Sequence, residues 1–409
     1  LAGWADSTIE RNMHPHLLHT AGVPSVVTTT LALAGMLACS PAFAADDMSD
    51  APAPMTTPGM TGPLAANPHP TSFDTGPLGT WYVTGAVTGL GVWQDNALPG
   101  DHGTFSDLSN GQVFIQKTSG PVQFFVQAGV YSMPALGTAY VRADDSLDAY
   151  YGVVPQAFVK FVANDHFSVI AGKLPTLFGA EYTFTFENMQ VERGLLWNQE
   201  NAVTRGVQAT YAQGPVTASL SWNDGFYSNR YNWLSGSLAY AFDARNTLTV
   251  IAGGNTDQTT RVDTATPLLQ NNGQIYNLIY THTAGPWTIT PYLQYTRVPE
   301  NTDIGIPHSA STLGAAVLAN YAFTSHFSLA GRAEYIDSSG SAANGTPNLL
   351  YGPGSSAWSL TLTPTWQSRL LFVRGEVSYV KARGATPGFA FGSNLDDSAQ
   401  SRVLIEAGL

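Results

Sequence analysis

From Trp81 onward, apolar and polar residues alternate with a period of two in one segment after another, each closed by a turn signal. In 356–368, Trp358, Leu360, Leu362, Pro364 and Trp366 alternate with Ser359, Thr361, Thr363, Thr365 and Gln367. In 286–297, Trp287, Ile289, Leu293 and Tyr295 alternate with Thr288, Thr290, Tyr292 and Gln294. In 311–323 one face carries Leu313, Ala315, Val317, Ala319, Tyr321 and Phe323. Successive side chains of a strand point to opposite faces, so this pattern predicts β-strands with one apolar face.

Sixteen such strands are predicted: 81–93, 111–117, 121–131, 153–163, 166–174, 205–213, 215–223, 233–243, 246–254, 274–284, 286–297, 311–323, 326–338, 356–368, 370–381 and 400–409. Their connections alternate between short and long. The short ones are Thr118–Gly120, Asn164–Asp165, Gly214, Ala244–Arg245, Gly285, Thr324–Ser325 and Arg369. The long ones are 94–110, 132–152, 175–204, 224–232, 255–273, 298–310, 339–355 and 382–399. An even strand number with tight turns at one end and long loops at the other is the asymmetry of outer-membrane barrels. The fold expected is an all-β transmembrane antiparallel up-and-down barrel over 79–409, behind a cleaved N-terminal signal peptide.

Composition agrees. Charged residues make up 11% of the chain, against about 25% in soluble domains. No run of apolar residues outside the N-terminus is long enough for a membrane helix, whereas a barrel strand needs only alternate residues to face lipid. The polar face is mostly Thr, Ser, Asn and Gln, which suits a wet lumen. Trp81, Trp93, Trp222, Trp233, Trp287, Trp358, Trp366, Tyr295, Tyr335 and Tyr379 fall near strand ends, as in interfacial aromatic girdles. The formal net charge of −12, with four lysines in all, offers no basic stripe for nucleic acid.

The N-terminal 44 residues read as an export signal, with Met13 as the initiator in place of Leu1. The apolar run 26–38 precedes Ala42-Phe43-Ala44, a small-x-small cleavage site. Met36-Leu37-Ala38-Cys39 is the rival, a lipoprotein-like box that would make Cys39 the acylated first residue; cleavage after Ala44 is the favoured reading. Residues 45–78, rich in Pro, Ala, Gly and Thr, read as a flexible periplasmic leader. Cys39 is the lone cysteine, so no disulfide, cysteine-based zinc site or cysteine nucleophile is expected after cleavage. His166, His282, His308 and His326 lack metal spacing, and no hydrolase elbow, zinc-protease or phosphate-loop motif occurs. No catalytic residue, metal or cofactor is expected.

Two groups of charges stand out. Arg332 and Glu334 share the polar face of one strand with Ser328, and Arg374 and Glu376 share that of another with Ser378. A charge facing lipid at mid-depth costs about 2–4 kcal/mol, so these point to the lumen. They form either a ladder that sets ionic preference or a self-neutralised wall network. The longest loop, 175–204, carries Glu181, Glu187, Glu192, Arg193 and Glu200, with Arg205 just beyond. It also carries Phe178, Tyr182, Phe184, Phe186 and Trp197, and Gly172, Gly179 and Gly194 permit tight bends. It is expected to fold into the barrel and narrow it; an external loop packed on its neighbours is the alternative.

The runs Ala171-Gly172-Lys173-Leu174-Pro175-Thr176-Leu177-Phe178-Gly179-Ala180-Glu181, Arg193-Gly194-Leu195-Leu196, Thr204-Arg205-Gly206-Val207-Gln208, Trp222-Asn223-Asp224-Gly225 and Gly331-Arg332-Ala333-Glu334-Tyr335-Ile336-Asp337 resemble the OmpL-like putative beta-barrel porin family. The resemblance covers most of 79–409 and implies an outer-membrane porin passing small hydrophilic solutes or ions by diffusion. A substrate-selective channel, and a closed structural barrel or outer-membrane enzyme, are the alternatives. A departure is the final alternation Val403, Ile405, Ala407, Leu409, where such barrels commonly end in an aromatic residue that the barrel-assembly machinery recognises. The other partners expected are outer-membrane lipid and lipopolysaccharide; sixteen strands are compatible with a homotrimer.

Overall fold

The computed structural model describes residues 60–409. The signal segment 1–44, the Met13 start and leader residues 45–59 lie outside the described residues. The strands are β1 (Thr71–Asp74), β2 (Thr80–Gln94), β3 (Thr104–Lys117), β4 (Val122–Tyr131), β5 (Gln156–Val162) and β6 (Phe167–Pro175). Then come β7 (Val203–Gln213), β8 (Val216–Asn223), β9 (Trp233–Asp243), β10 (Asn246–Asn255), β11 (Gln274–Ala284) and β12 (Trp287–Val298). The last are β13 (Ala310–Ala322), β14 (Phe327–Ser338), β15 (Ser356–Ser368), β16 (Leu371–Arg383) and β17 (Ala399–Gly408).

Each strand from β2 to β16 pairs antiparallel with the next, and β17 returns to β2, from Arg402 opposite Gln94 to Gly408 opposite Thr88. Of the seventeen strands, the sixteen other than β1 therefore form a closed barrel. Closure matters physically, because in hydrocarbon an open edge would leave N–H and C=O groups without partners. Gly214 and Gly285 sit at φ +56° in the tightest turns, a conformation glycine adopts without steric cost. Arg369 adopts the same region at φ +54°.

The alternation is inverted relative to a soluble barrel. Leu313, Leu362, Val377 and Ile405 point outward, the last 60% exposed, while Thr312, Thr361, Ser378 and Glu406 on the same strands are buried inside. Two belts of exposed aromatics border this apolar band. Trp93, Trp222, Tyr276, Tyr295 and Tyr335 lie toward the long-loop end, and Phe161, Phe242, Trp287, Phe323 and Trp366 toward the tight-turn end. Such an exterior fits a bilayer with aromatic rings at its two interfaces. No helix among the described residues is long and apolar enough to cross a membrane.

Three expectations need correction. Trp233 is not a girdle residue: it is 1% exposed, packs on Phe226 at 5.6 Å and donates its indole N–H to the Asn271 carbonyl at 2.9 Å. Strand β3 begins at Thr104 instead of 111, because Thr104–Asn110 pairs with β2 although its sequence is largely polar. Finally, residues 60–78 are not a free leader. Thr71–Asp74 pair with Thr80–Val83, and Leu64 is buried within an aromatic cluster that includes Phe114 and Phe184.

Candidate functional site

The long connection between β6 and β7, residues 176–202, folds into the barrel, where most of its side chains are buried. Short-range polar bonds shape it. The Thr176 hydroxyl donates to Asn201 Oδ1 at 2.7 Å and ties the neck. Asn188 Nδ2 donates to the carbonyls of Tyr182 (2.9 Å) and Phe184 (2.8 Å), while its Oδ1 accepts from the Tyr182 amide at 2.7 Å. Glu187 caps the same bend by accepting the Phe184 amide at 2.9 Å. An amide side chain can thus stand in for the backbone partners that an irregular segment lacks.

Beyond this internal frame, the wall of β14–β17 supplies partners for the loop backbone. Glu376 accepts the amides of Val191 (2.6 Å) and Glu192 (2.9 Å), and Glu334 accepts those of Leu195 (3.0 Å) and Leu196 (3.3 Å). Arg374 donates to the carbonyls of Asn188 and Thr185, each at 2.9 Å, and Arg332 to that of Glu192 at 2.7 Å. Loop side chains add ion pairs, Glu181 with Arg332 and Glu192 with Arg402, each at 2.6 Å. Gly194 lies so close to the wall that a Cβ there would come within 2.1 Å of Glu334 Oε1. On its other side Leu195 and Leu196 join Phe178, Met189, Ile251, Ile279 and Leu318 in an apolar cluster, with Leu196 pressed on Gly314.

The ten charged residues singled out in the sequence separate accordingly, and of the two readings of the charged ladder the paired wall network is the one its burial matches. Arg332, Glu334, Arg374 and Glu376 face inward, but the loop covers them and none exposes more than 5% of its surface. They clamp the loop. Glu181 and Glu192 are its counter-charges, and Glu187 is an internal cap. Glu200 accepts the Tyr292 hydroxyl of β12. Arg193 packs 5.4 Å from the Trp197 ring, and its backbone pairs with Pro134 and Leu136 of the preceding long loop. Arg205 stands apart on β7, bonded to Asp224 at 2.7 Å and stacked on Tyr227 at 3.8 Å.

Two members of the clamp are not among those ten. Glu406 of β17 pairs with Arg374 and accepts the Thr185 hydroxyl at 2.6 Å; Arg402 holds Glu192. The chain carries a signal for both: Gln400, Arg402, Leu404 and Glu406 share one parity, opposite Val403 and Ile405. In the antiparallel register Arg374 faces Glu406 directly.

With the loop held on β14–β17, open space remains against β10–β13. A cavity of about 1040 Å³ reaches the tight-turn end at Gly285, Pro286, Thr324 and Ser325. Threonines of β10–β12 (Thr249, Thr281, Thr283, Thr288, Thr290) and the apolar Ile251, Ile279 and Leu318 line it, and among the described residues no Asp, Glu, Lys or Arg does. Met60–Pro63 and Ala65 border the same space. There the Thr61 amide donates to the Glu187 carbonyl at 2.8 Å, and the Ala65 amide and carbonyl pair with the Gln367 side chain, each at 2.7 Å. Among the described residues no group of three or more His, Cys, Asp or Glu could hold a metal ion.

The same fold recurs in solved outer-membrane proteins. An anion-selective porin from Comamonas acidovorans superposes with TM-score 0.56 at 13% identity, over 80% of this chain and 100% of that one. The trimer form of OmpT from Vibrio cholerae does so with TM-score 0.52 at 10% identity, over 80% and 99%. The outer membrane channel DcaP of Acinetobacter baumannii gives TM-score 0.52 at 9% identity, over 80% and 97%. No curated protein matches. Residues 80–409, the whole ring of barrel strands, match the family described as "Putative beta-barrel porin-2, OmpL-like". A closed barrel with an apolar exterior, a loop folded into its lumen and this family match together make the chain a bacterial outer-membrane β-barrel that belongs to the OmpL-like beta-barrel porins.

Proposed function

We propose that this barrel is a passive pore for small hydrophilic solutes and that the loop 176–202 narrows it. The observation that carries the reading is the placement of the loop: it is clamped on the β14–β17 wall and leaves a cavity of about 1040 Å³ along the opposite, threonine-lined wall. A barrel whose lumen is polar while its exterior is apolar gives solutes a route that the bilayer denies them. The charged clamp has the role of holding the constriction, not of catalysis; its carboxylates are engaged by backbone amides, hydroxyls and guanidinium groups. Outer-membrane lipid and lipopolysaccharide would surround the barrel, the barrel-assembly machinery would insert it, and a homotrimer like the trimer form of OmpT is the assembly we favour.

Planar-bilayer recording of the purified, refolded protein tests this reading, with discrete current steps expected. Stable insertion without current steps would refute it. Deletion of 182–198 is expected to raise the conductance, and an unchanged value would remove the loop from its constricting role.

A further inference from the structure

The inward loop touches the barrel along two edges of different character. Toward β14–β17 it is held by buried ion pairs and charge-assisted hydrogen bonds. Toward β10–β13 it seats two apolar side chains in notches left by glycines. A Cβ on Gly253 of β10 would come within 2.6 Å of the Phe178 ring, and one on Gly314 of β13 within 2.9 Å of Leu196 Cγ. Three hydrogen bonds accompany them. The Gly179 amide donates to Asn277 Oδ1 at 3.2 Å, Gln294 Nε2 to the Leu196 carbonyl at 2.8 Å, and the Tyr292 hydroxyl to Glu200. No Lys or Arg takes part in these contacts.

This seam forms the inner end of the turn-side cavity. Phe178, Gly179 and Ala180 line it there with Ile251, Ile279 and Leu318, and among the described residues none from another long loop does. Beyond the seam the same wall turns polar again. Asn277 Nδ2 donates to Gln294 Oε1 at 2.8 Å, and the hydroxyls of Thr296 and Thr312 share a hydrogen bond. All four are at most 5% exposed. Along β12, Thr288 and Thr290 lie on the cavity side of the seam and Gln294 and Thr296 beyond it. A short apolar band across a polar path is the arrangement of a hydrophobic gate, which shuts by excluding water.

We propose that the Phe178–Leu196 edge of the loop is a gate that lifts from β10–β13 while the charged edge stays fixed on β14–β17. The inference rests on the pore reading and names the part of the loop that moves. Lifting this edge exchanges its hydrogen bonds for bonds to water, at small net cost. Releasing the other edge would separate buried ion pairs, which is far costlier. With the edge raised, the polar groups on the two sides of the seam join into one wet strip from Thr288 to Thr296. The glycine notches at Gly253 and Gly314 give the shut position a defined seat.

Val191 and Leu196 distinguish the two edges, because both are 0% exposed. Val191 packs with Val92 and Leu404 on the charged side, and Leu196 sits on Gly314. The test uses full-length protein in liposomes, with the one native cysteine removed by Cys39→Ser. Leu196→Cys is expected to react with a water-soluble methanethiosulfonate about tenfold faster than Val191→Cys. Equal rates, or no reaction at Leu196→Cys in the time that labels the unfolded protein fully, would overturn the proposal. In planar bilayers, Phe178→Ala/Leu196→Ala is expected to raise the fraction of time spent at full current several-fold, and an unchanged fraction would overturn it as well. Absence of current in every variant would strike the pore reading itself. The labelling rates would then still decide whether this edge lifts.

Discussion

Glu192 of the inward loop and Arg402 of β17 form an ion pair at 2.6 Å although neither side chain exposes more than 2% of its surface. Arg402 also donates to the carbonyls of Ala135 at 3.0 Å and Thr138 at 2.6 Å, so one guanidinium ties the barrel wall to two separate loops. Arg402→Met would leave Glu192 buried without its partner, a loss of about 3–5 kcal/mol for such pairs. Because the barrel strands keep their own ladders, the loss should fall on loop docking. Hydrogen exchange across 176–202 is expected to rise strongly in this variant while the strand amides stay protected; uniform protection would disprove the clamp.

Gly194→Ala places a methyl group where Glu334 Oε1 now lies, 2.1 Å from the ideal Cβ position. Glu334 accepts two loop amides, so displacing it breaks more than a packing contact. Overpacking of this kind costs about 1–3 kcal/mol. Limited proteolysis is expected to cut the loop in Gly194→Ala under conditions that leave the parent protein intact.

Docking of the loop is also expected to depend on pH. Burial pushes the loop carboxyls of Glu187 and Glu200 up to about 8. In an undocked loop they would titrate near the ordinary 4.5. The docked form therefore binds more protons, so docking is strongest below the ordinary carboxylate range and weakens as pH rises through the docked values. Loop hydrogen exchange, corrected for intrinsic rates, should be faster at the alkaline end, and Glu187→Gln should remove part of the dependence.

Gln367 holds the N-terminal segment by donating to the Ala65 carbonyl and accepting its amide, each at 2.7 Å. Removing both bonds in Gln367→Ala is expected to cost about 1–3 kcal/mol. The segment 60–66 should then detach from the cavity mouth, and the single-channel current should increase or flicker. A current trace identical to that of the parent protein would show that this segment does not obstruct the passage.

The barrel is legible in the sequence because lipid imposes a strict rule on every second residue, and Leu313, Leu362 and Ile405 obey it wherever they occur. The inward fold of 176–202 is legible from its length and its aromatic and acidic content. Its docking site is not, since the partners of Glu192 and Thr185 lie on β17, about two hundred residues later. The burial of the charged ladder is hidden for the same reason: parity fixes the face of Arg332 and Glu376, but not what covers that face. Residues 60–78 carry no periodicity at all. Their order comes from tertiary partners such as Gln367 and Asn188, whose carbonyl oxygen would lie 2.3 Å from a Cβ at Gly62. Likewise, the polar stretch Thr104–Asn110 is strand only because β2 extends beside it.

Strand β1 has a further consequence for the seam of the barrel. Tyr82 faces Gln116 of β3 on one side and Ser72 of β1 on the other, so β1 lies along the same edge of β2 as β17 does. The β17 pairing stops at Gly408 opposite Thr88, with Leu409 and Val87 exchanging one last pair of bonds at 3.0 Å. From Val83 to Thr80 the edge is taken over by Thr71–Asp74. Closure thus combines a contact between distant parts of the chain with a local hairpin that forms without waiting for the last strand. If that hairpin were cut away, Trp81 and Val83, the two residues of this stretch whose amides and carbonyls point to that edge, would lose their strand partners. The stretch whose composition reads as a flexible leader therefore extends the pairing of β2 at the tight-turn end of the seam.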